Sequence, residues 1–497
     1  MTAPLRLAAL SAAASLAAGA AMADLTAPQV WADWRTSAET LGQTLSVGSE
    51  EASGGVLTLR DVSITMDGPE GGANGTIAEV VMTEQGDGSV AIEMSPELPI
   101  DFTVVSEGET ANFSVLIDQS GLDLTASGAP GAISYAYAAP TLTITLAEAT
   151  TNGEPMDIDL NVALAGLDGA YTVTEGDARA VDSALRASSL TLTAEGTDPE
   201  GTGDTFDILM TMADLDSQST GTMSPLMGMA NLSEMIAAGL STGGTTTHGP
   251  ATFAVEGTSD GSAFSLDGGY QSGAYDVTID GDGLDYGYTG NGFTLALASD
   301  DVPLPEMSIA ADEIGSRLVM PVGVSEEPQD LGLALRLVGL TISDQLWSMF
   351  DPSGALPRDP AALVIDVAGK GNWLVDVFDP AIAETPMDSA PGELHALTVN
   401  EILLRLAGAE LTGSGDFTVN NEAPVPMPAG TLNLQLTGGN ALIDKLVQMG
   451  LLPEDQAMGA RMMLGLFARP GGGEDTLVSE ITVQEDGAIL ANGQRIR

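Results

Sequence analysis

Strict two-residue alternation constrains this chain more than any other feature. In Thr141–Leu146 the apolar Leu142, Ile144 and Leu146 interleave with Thr141, Thr143 and Thr145. Asp157–Leu164 repeats the pattern, with Ile158, Leu160, Val162 and Leu164 set against Asp157, Asp159 and Asn161. The sets Phe206/Ile208/Met210/Met212, Tyr275/Val277/Ile279 and Leu432/Leu434/Leu436 follow the same rule. A strand points successive side chains to opposite faces, so this pattern predicts antiparallel sheets with one wet and one buried face. The parity slips once, near Arg60-Asp61: Leu57 and Leu59 are odd, whereas Val62, Ile64 and Met66 are even. A β-bulge or strand break is expected there.

Turn chemistry agrees with a meander. Asp87-Gly88, Asp260-Gly261, Asp486-Gly487, Asn74-Gly75, Asn152-Gly153, Asn291-Gly292 and Asn492-Gly493 all suit type I′ hairpin turns, which need two successive residues with positive φ. Helices are predicted at a few points. Asp24–Gln43 places Val30, Trp31, Trp34, Ala38 and Leu41 at helical spacing, and the two Trp are expected to clamp that helix onto a sheet. Ser224-Pro225 starts a Met-rich helix with Met227, Met229 and Met235, just after Met223. Ser343-Asp344 caps a short helix through Leu346, Trp347 and Phe350. Asn440 caps another, closed by Gly450, and Pro453-Glu454-Asp455 opens a last one with a basic end at Arg461 and Arg469.

The expected fold class is therefore mainly β: elongated antiparallel meander sheets with a few short packed helices. The expected organisation is a signal peptide over 1–23, an N-terminal β-rich half over 24–245, and a C-terminal β-rich half over 246–497 with helices near 343–350 and 440–468. The boundary is placed in the Gly/Thr-rich stretch Ser241–Pro250. The leader reading rests on Arg6, the apolar run Leu7–Ala20 and the small-residue site Ala21-Met22-Ala23, with cleavage after Ala23 and a periplasmic location. The uncharged stretches Leu124–Ala147 and Met235–Val255 are broken by Pro, Gly and Thr and read as strands and loops.

Charge then narrows the partners. The chain carries 70 Asp plus Glu against 15 Lys plus Arg, a formal net charge of −55. Nucleic-acid affinity comes mainly from Lys and Arg on phosphates, and anionic membranes recruit polybasic segments, so neither partner is expected. Disorder is not expected either, because 44% of residues are hydrophobic. The absence of Cys excludes thiolate catalysis, Fe–S clusters and Cys–zinc sites.

Candidate chemical motifs are weak. Gly257-Thr258-Ser259-Asp260-Gly261 matches a nucleophile elbow, but Phe264 and Leu266 alternate after it, whereas an elbow needs a helix there. His248 and His395 are the only histidines, and both read as ordinary surface or loop residues. Asp280-Gly281-Asp282-Gly283-Leu284-Asp285 resembles a calcium loop, but its twelfth position is Asn291 rather than Glu. Paired acids such as Glu50-Glu51, Glu326-Glu327 and Glu454-Asp455 are too common here to be diagnostic. No catalytic, cofactor-binding or metal residue is assigned, and the ligand-binding residues are unknown.

Toward the C-terminus, Gly413-Ser-Gly-Asp-Phe417, Pro426-Met-Pro428-Ala-Gly430-Thr-Leu-Asn-Leu434, Asn440-Ala-Leu-Ile-Asp-Lys-Leu446, Met449-Gly-Leu-Leu-Pro453 and Gly487-Ala-Ile-Leu-Ala-Asn-Gly493 resemble the exported bacterial proteins grouped as domain of unknown function family 2125. That resemblance implies no activity and no catalytic residues. The layout is also loosely similar to Gram-negative envelope proteins of the AsmA-like kind, whose long curved sheets hold lipid on an apolar side; this chain departs from them in having no expected membrane anchor. The reading is a non-enzymatic periplasmic envelope protein that binds an apolar or lipid-like ligand, or an envelope protein, in a sheet groove, without a cofactor. The alternatives are a structural or interaction module without ligand and, remotely, a hydrolase.

Overall fold

The computed structural model describes residues 24–68, 71–106, 108–176, 178–198, 203–223, 231–301, 307–379, 382, 390–422 and 425–497. The expected leader over 1–23, and the helix start at Ser224-Pro225 with Met227 and Met229, lie outside the described residues.

The alternation does produce one antiparallel sheet, and the sheet branches twice in the same way. Helix α1 (Ala27–Thr40) leads into a meander of β1 (Thr44–Ser53), β2 (Val56–Gly68) and β3 (Gly71–Glu84). β3 then meets two partners: its C-terminal half pairs with β4 (Val90–Met94) and its N-terminal half with β5 (Glu97–Ser106). β6 (Glu109–Asp118) returns along β5 and β7 (Asp123–Ala129) along β4, and the long β8 (Ala132–Thr151) spans both. After the short β9 (Glu154–Pro155), strands β10 (Ile158–Thr174), β11 (Ala180–Thr197) and β12 (Thr205–Thr222) run as a plain meander.

The branch then recurs. Past α2 (Leu232–Ala237), β13 (Thr242–His248) and β14 (Ala251–Ser259) share β12. β15 (Ser262–Tyr270) returns along β14, β16 (Ser272–Asp280) along β13, and β17 (Gly283–Ser299) spans both. From β17 the meander continues through β18 (Met307–Met320), β19 (Gln329–Ile342), helix α3 (Asp344–Phe350), β20 (Ala361–Trp373), β21 (Gly392–Leu406), β22 (Ala409–Asn420) and β23 (Met427–Thr437). Helices α4 (Gly439–Gln448) and α5 (Glu454–Phe467) precede β24 (Arg469–Pro470), β25 (Thr476–Val483), β26 (Ile489–Ala491) and β27 (Gln494–Arg495). Residue 245 falls inside β13, which pairs with β12 on one side and β16 on the other, so the sheet runs across that position.

A transverse crease crosses the sheet. Among the described residues, a row of strand residues has left-handed backbones: Asp61 (φ 54), Gly166 (φ 58), Asp214 (φ 52), Gly292 (φ 63) and Gly339 (φ 72). One such residue bends a strand and breaks its alternation. The apolar set accordingly steps by three at each: Leu59 to Val62, Leu164 to Leu167, Met212 to Leu215, Gly290 to Phe293 and Leu337 to Leu340. The reversal keeps the apolar residues of both strand halves on one face. The slip at Asp61 is thus one member of a row, and register is kept on both sides of it, with Val47 opposite Val62 and Ser49 opposite Arg60. At Gly339 a Cβ would sit 2.1 Å from Asp312 Oδ2, so both φ and space require glycine there.

Several turn and cap expectations are corrected by this geometry. Asn74-Gly75 and Asn291-Gly292 are not hairpin turns: the first pair lies inside β3 with Asn74 opposite Thr65, and Gly292 is a crease residue. Asn152-Gly153, Asp260-Gly261 and Asn492-Gly493 do turn with both φ positive. Asn440 is not the cap of α4; the left-handed Gly438 precedes the helix, and Asn440 instead hydrogen-bonds Asp475 at 2.8 Å. α5 has no basic last turn, because Arg461 reaches back to Asp444 on α4 and Arg469 has left the helix. Ser343 does cap α3, accepting from the Leu346 amide at 3.5 Å.

The best-buried core lies under α1. Val30 and Trp31 of α1 pack with Leu57, Leu59 and Val62 of β2, Val80 and Met82 of β3, Val90 and Ile92 of β4, and Ile133 and Tyr135 of β8. Trp34 packs at its margin, so the paired Trp do fasten the helix to the sheet. Burying each such side chain contributes about 1.5–3 kcal/mol.

Candidate functional site: an open apolar sheet face

Among the described residues, the face that α1 covers continues past it with partly open side chains, as far as Val399, which is buried. Residues opposite one another in register share a face, so the pairings trace it strand by strand. From Val277 on β16 one row passes through Tyr286, Leu318, Leu333, Val367 and Val399 to Leu432 and Ile481. A parallel row runs from Tyr275 through Tyr288, Ser316, Leu335 and Ile365 to Ile402 and Leu434. At about 4.8 Å per strand, the four steps from Tyr288 to Ile402 cover about 19 Å. Neither row contains a charged side chain.

These side chains are unusually open for their type. Leu333 is 42% exposed, Leu335 40% and Leu404 44%, and Leu318 and Leu363 are similar. A contiguous apolar patch of this kind marks an interaction surface.

The opposite face carries the charge. Arg186 pairs with Asp216 at 2.7 Å, Arg317 with Asp285 at 2.6 Å, Arg336 with Glu313 at 2.6 Å and Lys370 with Asp330 at 2.8 Å. It also holds the larger depressions. One of about 1260 Å³ is lined by Asp182, Asp216, Thr245, Asp276, Asp285 and Thr289, among others, and one of about 710 Å³ by Asp157, Asp159, Glu195, Asp207 and Glu256. The apolar surface is thus an open sheet face, whereas the two largest depressions are lined by acids.

An aromatic cluster marks the apolar face where it emerges from the second branch. Tyr275 and Tyr288 face each other across β16 and β17 with ring centroids 4.7 Å apart. Tyr270 meets Tyr288 edge-on at 6.0 Å and Phe293 at 5.2 Å, joining the two sides of the crease. Burial, reinforced by the Tyr270 hydroxyl, pushes the Tyr288 phenol well above its ordinary range. In the first branch α1 occupies the corresponding region. There burial, then the Asp33 charge, pushes Tyr171 up to about 12, and its ring stacks on Tyr135 at 4.8 Å.

The residues singled out by motif do not converge. Ser259 pairs with Ser262 across the β14–β15 turn, so no helix follows the elbow-like sequence. His248 is corrected from surface to core: it is 5% exposed, its Nδ1 lies 2.7 Å from the Gly249 carbonyl, and its ring packs 6.2 Å from Tyr275. His395 is half-buried on β21, with Nε2 2.8 Å from Asn372 Oδ1. The Asp280–Asp285 segment is the β16–β17 hairpin; Asp280 accepts from the Asp282 amide and Asp285 is held by Arg317. Among the described residues no three His, Asp or Glu side chains are grouped to hold a metal ion, and no helix is long and apolar enough to cross a membrane. Met223 packs on the α1 core, and α2, capped by Asn231, carries Met235.

Sequence reading missed the open face itself. Its signal was present in Leu331, Leu333, Leu335 and Leu337 of β19, whose partners Ile365, Val367 and Leu363 are equally apolar.

Residues 244–493 match the model of a family described as "Uncharacterized protein conserved in bacteria (DUF2125)". That stretch begins in β13 and takes in the whole of the open face from β16 onward. No curated protein matches the chain.

Proposed function

The chain belongs to the DUF2125 family of uncharacterized proteins conserved in bacteria, and from that footing we propose that it is a non-enzymatic, exported envelope protein that holds an apolar, lipid-like ligand against its open sheet face. The observation that carries this reading is the apolar row from Tyr286 through Leu318 and Leu333 to Val367, with Leu333 and the neighbouring Leu335 about two-fifths exposed and no charge along it. Covering such side chains with acyl chain recovers free energy at roughly 25 cal/mol per Å² of apolar surface. Export is supported by Arg6, the Leu7–Ala20 run and Ala21-Met22-Ala23. A non-enzymatic role is supported by the two histidines, which lie apart and engaged in packing and hydrogen bonds rather than beside a nucleophile.

The test is lipid uptake. Purified protein is incubated with detergent-dispersed phospholipid, separated by gel filtration and assayed for bound lipid. The reading expects retained lipid in the wild type and little in Leu333→Glu/Leu335→Glu. Equal retention by both proteins would place the lipid elsewhere.

A further inference from the structure

The open face has a defined place for a polar headgroup. At the β16–β17 end of the apolar rows, Tyr275 and Tyr286 are 36% and 38% exposed and sit beside Tyr288 and Tyr270. Nowhere else among the described residues do four phenols gather on the uncharged face. Aromatic faces attract cations through their quadrupole, and grouped rings are the usual receptor for quaternary ammonium.

The surrounding charge points the same way. Among the described residues connecting the strands from β10 to β19, Arg179 is the only basic side chain, and it is buried against Asp33. The connections on the same sheet edge as Tyr275 and Tyr286 carry Glu175, Asp282, Glu326 and Glu327. An anionic headgroup would meet like charge from that edge, whereas an ammonium would meet phenol rings beside it.

We propose that the Tyr270/Tyr275/Tyr286/Tyr288 cluster is the headgroup station of the apolar face, and that it takes the ammonium group of an amphiphile without net negative charge. This inference rests on the apolar-ligand reading and adds the headgroup class to it. The rings hold the ammonium, and the acyl chain follows the rows toward Ile365 and Ile402.

The experiment compares two monomeric amphiphiles of equal chain length, dodecylphosphocholine and dodecyl maltoside, by calorimetric titration of the full chain. Neither has net charge, so general attraction to an acidic protein cancels. The inference expects dodecylphosphocholine to bind roughly tenfold more tightly, and Tyr275→Leu/Tyr286→Leu to remove that preference. Equal affinities in the wild type, or a preference that survives the Tyr substitutions, would overturn the headgroup station. If the two bind equally and Leu333→Glu abolishes both, the apolar face stands as a ligand site and only the station falls. If neither binds, both fall.

Discussion

The Tyr135 hydroxyl donates to the Asp33 carboxylate at 2.8 Å inside the core beneath α1. The other oxygen of Asp33 receives the Arg179 guanidinium, so one buried carboxylate ties α1 to β8 and to the turn before β11. Arg179 also reaches Ser37 Oγ at 3.1 Å. Removing one partner of a buried pair strands the other without solvent, at about 3–5 kcal/mol. Arg179→Met should therefore loosen α1 first. Hydrogen exchange over residues 27–40 should accelerate in the variant while exchange over β20–β22 stays unchanged.

The same core fixes an alkaline limit. Burial raises Tyr135, Tyr137 and Tyr171, the last to about 12. A phenol whose folded pKa exceeds its unfolded value near 10 stays neutral in the fold, so its stabilisation is complete below pH 10 and is lost as pH rises toward 12. Far-UV circular dichroism should remain constant to about pH 10 and fall between pH 10 and 12, as the tyrosinate absorbance of the buried phenols rises. Full ionisation of all seven Tyr near pH 10 with the sheet intact would contradict the burial.

The crease makes a separate prediction. Gly339→Val places a β-branched residue at φ 72 against Asp312. The left-handed conformation alone costs about 1–2 kcal/mol for a residue with a Cβ, and the contact adds to it. Its Tm should fall by several degrees, whereas Gly487→Ala in the turn before β26, which is open to solvent although also at positive φ, should fall less.

Alternation, helix α1, helix α3 and the hairpins at Asn152, Asp260 and Asn492 were legible in the sequence because each depends on local spacing or a turn dipeptide. The crease was visible only at Asp61. Its other members are the same three-residue step in the apolar register, but Leu164-Ala-Gly-Leu167 or Leu337-Val-Gly-Leu340 alone reads as a strand end. Only the pairings show that the steps align. The repeated branch was hidden for a related reason: Val90 and Ile92 of β4 lie under α1, whereas their counterparts on β13, Gly244 and Thr246, do not, so the two copies share pairing and not residues. The apolar character of the open face was legible in Leu331, Leu333, Leu335 and Leu337, but its openness was not, because exposure depends on what packs above a strand and not on its own sequence.

Salt should stabilise the protein. With a net charge of −55 and only scattered ion pairs on the polar face, like charges oppose the compact state and are screened beyond about 8 Å at physiological ionic strength. Tm should rise from low salt to seawater-like salt. A flat response would mean that the carboxylates are compensated locally.

The most direct test of the apolar-ligand account is native mass spectrometry of the protein purified from its own host. The account predicts lipid-sized adducts on the wild-type protein that are missing from Leu333→Glu/Leu335→Glu at unchanged Tm. A wild-type protein that is free of adducts as isolated, and takes up no added lipid, would contradict it.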